Sequence, residues 1–131
     1  MKITPRIVMK GNSKEAIEFY SEAFGATTDY LITYGSVGAG SPEQKDLIMN
    51  AQVDIKGTKI HIADHNPAQV TNGNQISFTV ELSNPEEVKE TFNKMKDGSK
   101  IIMEPIATFF SPCHCGLIDK FGVMWQINCP K

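Results

Sequence analysis

The sequence predicts an α+β fold built from two β-α-β-β-β modules, one over about residues 1–66 and one over about 74–131. An amphipathic helix pattern occurs twice, and each time one strand-like run precedes it and three follow it. The two predicted helices share their apolar spacing: Ala16, Tyr20 and Ala23 in the first, Val88, Phe92 and Met95 in the second. Because neither module could bury its sheet face alone, we expect one domain, a curved mixed sheet around a cleft with the helices outside.

The first module begins with a strand over residues 3–10, in which Pro5 indicates an edge or a strand end because it has no backbone donor. A helix over Ser13–Phe24 follows, since Asn12 or Ser13 is a favourable cap that Glu15 would complete as a capping box. The other predicted segments are strands over 27–34, 46–55 and 58–63, a flexible glycine-rich loop over 35–42, and a loop over 64–73 in which Asp64 and His65 are exposed.

The second module repeats this order. Its first strand is predicted over 75–82, and its helix starts at Pro85 after the cap Asn84 and runs to Asp97. Three strands are predicted after the helix, over about 100–108, 113–119 and 123–128. In the last strand, Val123, Trp125 and Ile127 alternate with Met124, Gln126 and Asn128, so we expect the tryptophan face to be buried.

Composition limits the possible partners. The chain has 131 residues and a formal net charge of −2, and its lysines are scattered rather than gathered in a basic stripe. We therefore expect neither nucleic acid nor a membrane as a partner. No apolar run is long enough to span a bilayer, and the first residues lack a signal-peptide core, which favours a cytoplasmic protein whose three cysteines are free thiols.

Two local motifs resemble a known family. One is Gly11-Asn12 followed by Glu15-Ala16-Ile17-Glu18-Phe19-Tyr20 and Phe24-Gly25-Ala26; the other is Asp119-Lys120-Phe121-Gly122-Val123 with Trp125 and Ile127. In this order, with this element count, they resemble the PhnB-like branch of the vicinal oxygen chelate superfamily, which includes glyoxalase I, extradiol dioxygenases and the bleomycin and fosfomycin resistance proteins. Thr108-Phe109-Phe110 is similar to that family's Thr-Phe-Trp, with Phe110 in place of the tryptophan. The resemblance covers essentially the whole chain and implies a homodimer, with modules that pair within or between chains.

Some members of this branch carry the name 3-demethylubiquinone 3-methyltransferase. The sequence gives that name no support, because it lacks the glycine-rich strand-to-helix turn that nucleotide-like cofactors need. The segment Gly35–Gly40 is similar to a phosphate loop only in composition, and a mobile loop near the cleft mouth, which could act as a lid, is the preferred interpretation.

The resemblance also implies four metal-ligand positions, which fall here at Pro5, His61, Gln75 and Gln126. Divalent ions in such enzymes need three or four converging imidazole or carboxylate groups, and only His61 qualifies. The neighbouring Arg6 would be no better, being a permanent cation. The sequence therefore predicts no catalytic metal and no cofactor.

His61 alternates with apolar residues in Lys59-Ile60-His61-Ile62-Ala63, which predicts that it faces the cleft. It could bind a ligand or move a proton near neutral pH, or it could be a partly buried histidine held by a neighbouring amide. For catalysis the second interpretation is favoured, although His61 is the best candidate. The predicted ligand-binding residues are His61, Gln75, Ser77, Met124 and Gln126, with Asn50 as a weaker candidate.

Cys113-His114-Cys115 does not predict a zinc site, because on a strand the two cysteines share one face and His114 points to the other. Buried thiols that pack as small apolar groups are the preferred interpretation for Cys113 and Cys115, with Cys129 a bystander.

Three functions follow as hypotheses. The first is binding of a small organic molecule in a metal-free cleft, and the second is an enzyme of the superfamily that uses His61 as acid or base, or a non-standard metal site. The third is an interaction domain without a cleft.

Overall fold

A computed structural model describes all residues, 1–131, as two compact units, Met1–Thr71 and Asn72–Lys131. The first unit contains β1 (Arg6–Met9), α1 (Ser13–Phe24), β2 (Thr27–Thr33), β3 (Ile48–Ile55) and β4 (Thr58–Asp64). The second contains β5 (Phe78–Glu81), α2 (Pro85–Met95), β6 (Lys100–Ile106), β7 (His114–Ile118) and β8 (Met124–Asn128). Each unit is one β-α-β-β-β module, which confirms the predicted α+β class; that the two units form a single domain stays a prediction.

Each unit has one mixed four-stranded sheet. The strand order is β1-β4-β3-β2 in the first unit and β5-β8-β7-β6 in the second. In both, the strand before the helix runs parallel to the last strand, and the other neighbours are antiparallel. The helix links the two edge strands of its sheet, β1 to β2 in the first unit and β5 to β6 in the second, and it covers one face of that sheet.

In the first unit the helix-covered face is apolar. The side chains of Ala16, Tyr20 and Ala23 are buried on α1, as the repeated spacing predicted. On β3 and β4, buried residues such as Val53 and Ile62 alternate with half-buried ones. The half-buried residues point to the opposite face of the sheet. No helix of this unit covers that face, so its side chains are partly exposed.

The second unit follows the same plan. Val88, Phe92 and Met95 of α2 are buried, and so are Trp125 and Ile127 of β8. The predicted burial of the tryptophan face is therefore confirmed. The indole Nε1 of Trp125 donates a hydrogen bond to Asp119 Oδ2 at 2.8 Å, so the polar atom of this buried ring is satisfied.

The first strand of each module is shorter than predicted. β5 begins at Phe78, which pairs with Trp125, so the predicted site residues Gln75 and Ser77 lie in an exposed, irregular segment before it. For Gln75 the physical reason is that β5 has β8 as its only neighbour, and the register would place Gln75 opposite Gly122, before β8 begins at Met124. An alternating polar segment forms a strand only where a neighbouring strand is present to pair with it.

The start of α1 differs from the prediction. Asn12 makes no side-chain capping bond, so the predicted capping box with Glu15 is wrong. Asp64 caps the helix instead: its Oδ1 accepts hydrogen bonds from the backbone N–H and the hydroxyl of Ser13, at 2.9 and 2.6 Å. Its Oδ2 accepts from the backbone N–H of Ile48 at 2.9 Å. Asp64 is the last residue of β4 and only 2% exposed, so its predicted surface position is also wrong.

The predicted glycine-rich loop contains ordered turns. Short 3₁₀ segments cover Gly35–Val37 and Pro42–Gln44, and the backbone N–H of Gly35 donates to the carbonyl of Lys45 at 2.9 Å. Neither α1 nor α2 has the length and apolar character needed to cross a bilayer.

Candidate functional site on the open face of the first sheet

Four polar side chains form a row across all four strands of the first unit. The strand register pairs Arg6 of β1 with His61 of β4, His61 with Gln52 of β3, and Gln52 with Tyr30 of β2. We call these four residues the His61 row. Since the buried side chains of β3 and β4 face α1, the row lies on the opposite, helix-free face, where every member is half-buried or exposed.

One hydrogen-bond chain orients the imidazole of His61. The side-chain amide of Gln52 donates from its Nε2 to Asp29 Oδ2 at 2.9 Å. This fixes the amide so that its Oε1 faces His61 Nε2, at 3.2 Å. An amide oxygen only accepts, so the proton of the imidazole lies on Nε2. The other ring nitrogen, Nδ1, then carries the lone pair in the neutral imidazole.

A second chain orients the phenol of Tyr30. The Nη1 of Arg6 donates to Asn50 Oδ1 at 3.0 Å, and the Nδ2 of Asn50 donates to the Tyr30 hydroxyl at 3.2 Å. That hydroxyl lies 3.4 Å from His61 Nε2, which already carries a proton. The Tyr30 oxygen therefore accepts from Asn50, and its own O–H can donate to a group outside the protein.

The charges on this face are arranged unevenly. The Nζ of Lys59 lies 2.8 Å from both Asp29 Oδ2 and Asp54 Oδ2. The hydrogen bond from Lys59 lowers the pKa of Asp29, with a smaller contribution from Gln52, and it also lowers the pKa of Asp54. Arg6, the only arginine of the chain, is exposed and takes part in no ion pair. The face thus presents one uncompensated cation beside His61.

The residues of this face do not fit the metal that the superfamily resemblance would imply. The groups nearest to His61 are an amide oxygen, a phenol and, in register, a guanidinium. No three His, Cys, Asp or Glu side chains anywhere in the chain are grouped so that they could hold a metal ion. A permanent cation beside a single imidazole opposes a divalent cation at the same place.

The second unit has an equivalent row with different chemistry. The register pairs Thr79 of β5 with Gln126 of β8, Gln126 with Gly116 of β7, and Gly116 with Met103 of β6. We call these four residues the Gln126 row. A Cβ at Gly116 would meet the Oε1 of Gln126 at 3.0 Å, so the amide lies over the glycine. This row carries no charge.

The predicted site residues are therefore divided. His61 and Asn50 lie on the helix-free face of the first unit, and both contact the Tyr30 hydroxyl. Met124 and Gln126 share one face of β8 in the second unit, whereas Gln75 and Ser77 precede β5. A cleft that brings His61 together with Gln75 and Gln126 stays a prediction.

Three members of the site were missed as ligand-binding candidates: Arg6, Tyr30 and Gln52. Gln52 could have been found, since it lies two positions from Asn50 on a strand and so shares its face. Tyr30 could not, because the register of β2 shifts between Thr28 and Tyr30 and breaks the alternation.

Two surface grooves lie elsewhere, both in the second unit. One, of about 340 Å³, is lined by Lys89, Phe92, Asn93, Lys96, Ile101, Glu104 and Pro105. The other, of about 280 Å³, is lined by Asn72, Gly73, Asn74, Ile118 and Gly122. Neither contains a predicted site residue.

A model of the protein family described as 3-demethylubiquinone-9 3-methyltransferase matches residues 1–128. The chain belongs to this family. It is 27% identical to protein YjdN of Escherichia coli K12 over 142 aligned positions, covering 100% of this chain and 97% of that protein. These findings confirm the PhnB-like resemblance.

Solved structures agree with this assignment. Protein PA1353 from Pseudomonas aeruginosa is 25% identical, with a TM-score of 0.88 over 99% of this chain and 98% of its own. The PhnB protein from Bacillus cereus is 24% identical, with a TM-score of 0.86 over 98% and 99%. A glyoxalase/bleomycin resistance/dioxygenase family enzyme from Burkholderia phytofirmans shares the fold, at 18% identity and a TM-score of 0.67 over 96% of this chain and 95% of its own.

The methyltransferase in the family's description would need a methyl donor, and the strand-to-helix turns do not fit a nucleotide-like one. The turn before α1 contains a single glycine, Gly11, and the first backbone N–H of α1 already donates to the Asp64 carboxylate. In the second unit the Asn84 side chain occupies the backbone N–H of Glu87 in the same way. At each helix start, one backbone N–H that an anionic cofactor group could use thus already has an acceptor from the chain itself.

Proposed function

We propose that this PhnB-like protein binds a small organic anion on the helix-free face of its first unit, without a metal ion. The observation that carries the proposal is Arg6, a guanidinium without an acidic partner at the end of a hydrogen-bonded row that includes His61 and Tyr30. A lone exposed cation beside oriented donors is suited to an anionic ligand.

The donors favour a carboxylate or phosphonate. A guanidinium has five N–H donors, and in Arg6 one nitrogen is used for Asn50. The Tyr30 hydroxyl adds a further donor, which the Asn50 amide orients. Ile32 pairs with Asn50 across β2 and β3 and is half-buried, so an apolar part of the ligand would have a surface beside the charged group.

The first test is an NMR titration of the purified protein with two probes, benzoate and methylphosphonate, and with benzamide as the neutral control. We expect saturable shifts of the Arg6, Tyr30, Asn50 and His61 amide signals with at least one anion and not with benzamide. The Arg6→Gln variant should weaken binding by about 10- to 100-fold, the worth of a charge-assisted hydrogen bond of about 1.5–3 kcal/mol.

The matched control is Lys10→Gln, which removes one exposed positive charge directly after β1. It should leave the affinity within about twofold, because a surface charge outside the row acts only through screened electrostatics. Equal weakening by both variants, or no saturable shift with either anion, would contradict the proposal.

The second candidate function is an enzyme that uses His61 as acid or base. It is favoured by the Asp29–Gln52–His61 chain, since a catalytic imidazole is commonly oriented by a third group. An NMR sample with pyruvate in D₂O tests it: proton transfer by the imidazole would appear as exchange of the pyruvate methyl protons for deuterium, faster than without protein, and the acceleration should be lost in His61→Gln. An unchanged probe in the presence of saturable binding favours the binding protein.

A metal-dependent version of either function has its own test. Metal content by plasma mass spectrometry is combined with thermal-shift titrations of Zn, Ni, Mn and Fe(II). We expect substoichiometric metal and no shift. Near-stoichiometric metal that is lost in His61→Ala would overturn the metal-free proposal.

Two further expectations belong to the proposal: a homodimer, which the resemblance implies, and a cytoplasmic location, which the sequence predicts. The edge strand β6 exposes Ile102, Met103 and Ile106, apolar residues that a partner chain would cover. Sedimentation equilibrium at micromolar concentration should give the mass of two chains, and the mass of one chain would contradict the dimer.

A further inference from the structure

Two cysteines face each other where β7 begins and β8 ends. The register of these antiparallel strands pairs Cys115 with Ile127 and His114 with Asn128, so one step further Cys113 lies opposite Cys129. Facing residues of antiparallel neighbours have Cα atoms roughly 4.5–5.5 Å apart, within the range of about 4.4–6.8 Å that a disulfide spans. Both thiols are free, and both residues are buried, at 2% and 1% exposed.

One hydroxyl shows how closely the two backbones approach. Ser111 Oγ accepts hydrogen bonds from the backbone N–H of Cys113 at 3.2 Å and of Cys129 at 3.3 Å. It also lies within donating distance of both carbonyl oxygens, at 2.8 and 2.7 Å. The Sγ of Cys129 is 3.9 Å from the carbonyl oxygen of Cys113, so this sulfur already points toward its neighbour.

We propose that Cys113 and Cys129 are a modification site, a dithiol that a low-molecular-weight disulfide such as oxidised glutathione converts to an intrachain disulfide. Cys115 is excluded from the bond. It lies two residues along the same strand from Cys113, with its side chain parallel to that of Cys113, and its register partner is Ile127.

The exchange proceeds in two steps. The Cys113 thiolate attacks one sulfur of the reagent, whose S–S bond breaks and releases one glutathione thiolate. The Cys129 thiolate then attacks the Cys113 sulfur and releases the second glutathione. The protein loses two electrons and two protons, and both are recovered in two molecules of reduced glutathione.

The environment makes this oxidation slow and pH-dependent. Burial raises the pKa of the Cys113 thiol, and the nearby charge of Lys89 partly offsets the effect. Burial raises the pKa of Cys115 to about 12. Because the thiolate is the attacking species, the rate should increase with pH below the pKa of the attacking thiol.

The disulfide would lie directly after an exposed turn that carries two aromatic side chains. Phe109 and Phe110 are 87% and 46% exposed, and the turn that carries them is held by a hydrogen bond from the backbone N–H of Thr108 to the carbonyl of Ser111. Since Ser111 already bonds to both cysteines, oxidation would restrain the turn from its C-terminal side.

The test incubates the folded protein with oxidised glutathione at several pH values, then alkylates the remaining thiols. Mass spectrometry should show three free thiols falling to one, with no retained glutathione. Trypsin, which cuts after Lys100 and Lys120, should release the peptide 101–120 linked to 121–131. The Cys115→Ser variant should form the same link, Cys113→Ser and Cys129→Ser should not, and the oxidised protein should have a higher Tm.

Three outcomes would overturn the proposal. One is a link in Cys113→Ser of the same yield as in the natural sequence, which would implicate Cys115. Another is a glutathione adduct that persists, which would mean that the two sulfurs cannot meet. The third is three unreacted thiols in the folded protein under conditions that oxidise the urea-unfolded chain.

Discussion

The His61 row and the Gln126 row occupy equivalent positions in two modules with the same strand order and register, yet they share almost no chemistry. Arg6, His61, Gln52 and Tyr30 in the first unit correspond to Thr79, Gln126, Gly116 and Met103 in the second. The helix-covered faces are apolar in both units because each must bury a helix. The helix-free faces carry no such constraint, so their side chains are free to differ between the two units.

The two units also hold their helices differently. His61 and Gln126 occupy equivalent positions in the two registers. Asp64 and Cys129 each lie three residues further along the chain, so Asp64 at the end of β4 corresponds to Cys129 after β8. Asp64 caps α1 from a distant strand, whereas α2 is capped locally by Asn84, whose Oδ1 accepts from the backbone N–H of Glu87 at 2.9 Å. Where a remote carboxylate does the capping, the helix start and the sheet are coupled; a local cap leaves them independent.

The largest expected effect separates these two ways of capping. Asp64→Ala should lower the free energy of unfolding by about 3–5 kcal/mol, because the buried backbone N–H groups of Ser13 and Ile48 lose their acceptor. Urea unfolding followed by circular dichroism measures the change. Glu15→Ala, in the same first turn but exposed, is the control and should stay within about 0.5 kcal/mol. A loss below about 1 kcal/mol for Asp64→Ala would show that remote capping is not essential.

The local cap of α2 should contribute less to the free energy of unfolding than the remote cap of α1. Asn84→Ala should lower the free energy of unfolding by about 1 kcal/mol, the usual value of one capping side chain. Its counterpart Asn12→Ala should have almost no effect, because Asn12 makes no side-chain capping bond. The same urea experiment compares the two variants, and equal losses would contradict the assignment of the α1 cap to Asp64.

Much of the fold follows from local sequence. α1 begins at Ser13 and ends at Phe24 as predicted, since the apolar stripe and the left-handed Gly25 are local signals. The hairpin of β3 and β4 and the buried face of Trp125 follow in the same way from turn chemistry and alternation. These features depend on residues that are neighbours in the chain.

The features that could not be predicted depend on distant partners. Asp64 is followed by His65, Asn66 and Pro67, a loop composition, and only the amides of Ser13 and Ile48 make it a buried cap. β5 is short because its partner β8 begins late. Of the site, His61 was found through alternation together with the family resemblance, and Asn50 through the resemblance alone. The proposed role of Arg6 requires the register of β1 on β4, which the sequence does not reveal.

One added methyl group tests the position of the Gln126 amide in the Gln126 row. Gly116→Ala should change the free energy of unfolding by less than about 1 kcal/mol, because the gain from removing a strand glycine is offset by the shift of the Gln126 amide. The side-chain NH₂ signals of Gln126 in an NMR spectrum should move, while those of Gln52 should not. Unchanged Gln126 signals would show that its amide does not lie over Gly116.

The smallest expected effect concerns the ion pairs of Lys59 with Asp29 and Asp54, which lie on the helix-free face of the first unit and have no counterpart in the second. In Lys59→Gln the pKa values of Asp29 and Asp54 should rise toward 3.8, because the hydrogen bonds from Lys59 that lower them are lost. Carboxyl carbon shifts followed by NMR during an acid titration measure both values. Lys56→Gln, in the turn of the same hairpin, is the control and should leave them unchanged.

A depressed carboxyl pKa stabilises the folded state above the unfolded value and loses that contribution as pH falls through the folded value. Any difference in urea midpoint between the natural sequence and Lys59→Gln should therefore be present at pH 7 and disappear on acidification below 3.8. Because Asp29 is exposed and Asp54 is only half-buried, the difference should be small and should shrink with added salt. A difference that persisted in acid would mean that Lys59 acts by packing its stem on the sheet rather than through Asp29 and Asp54.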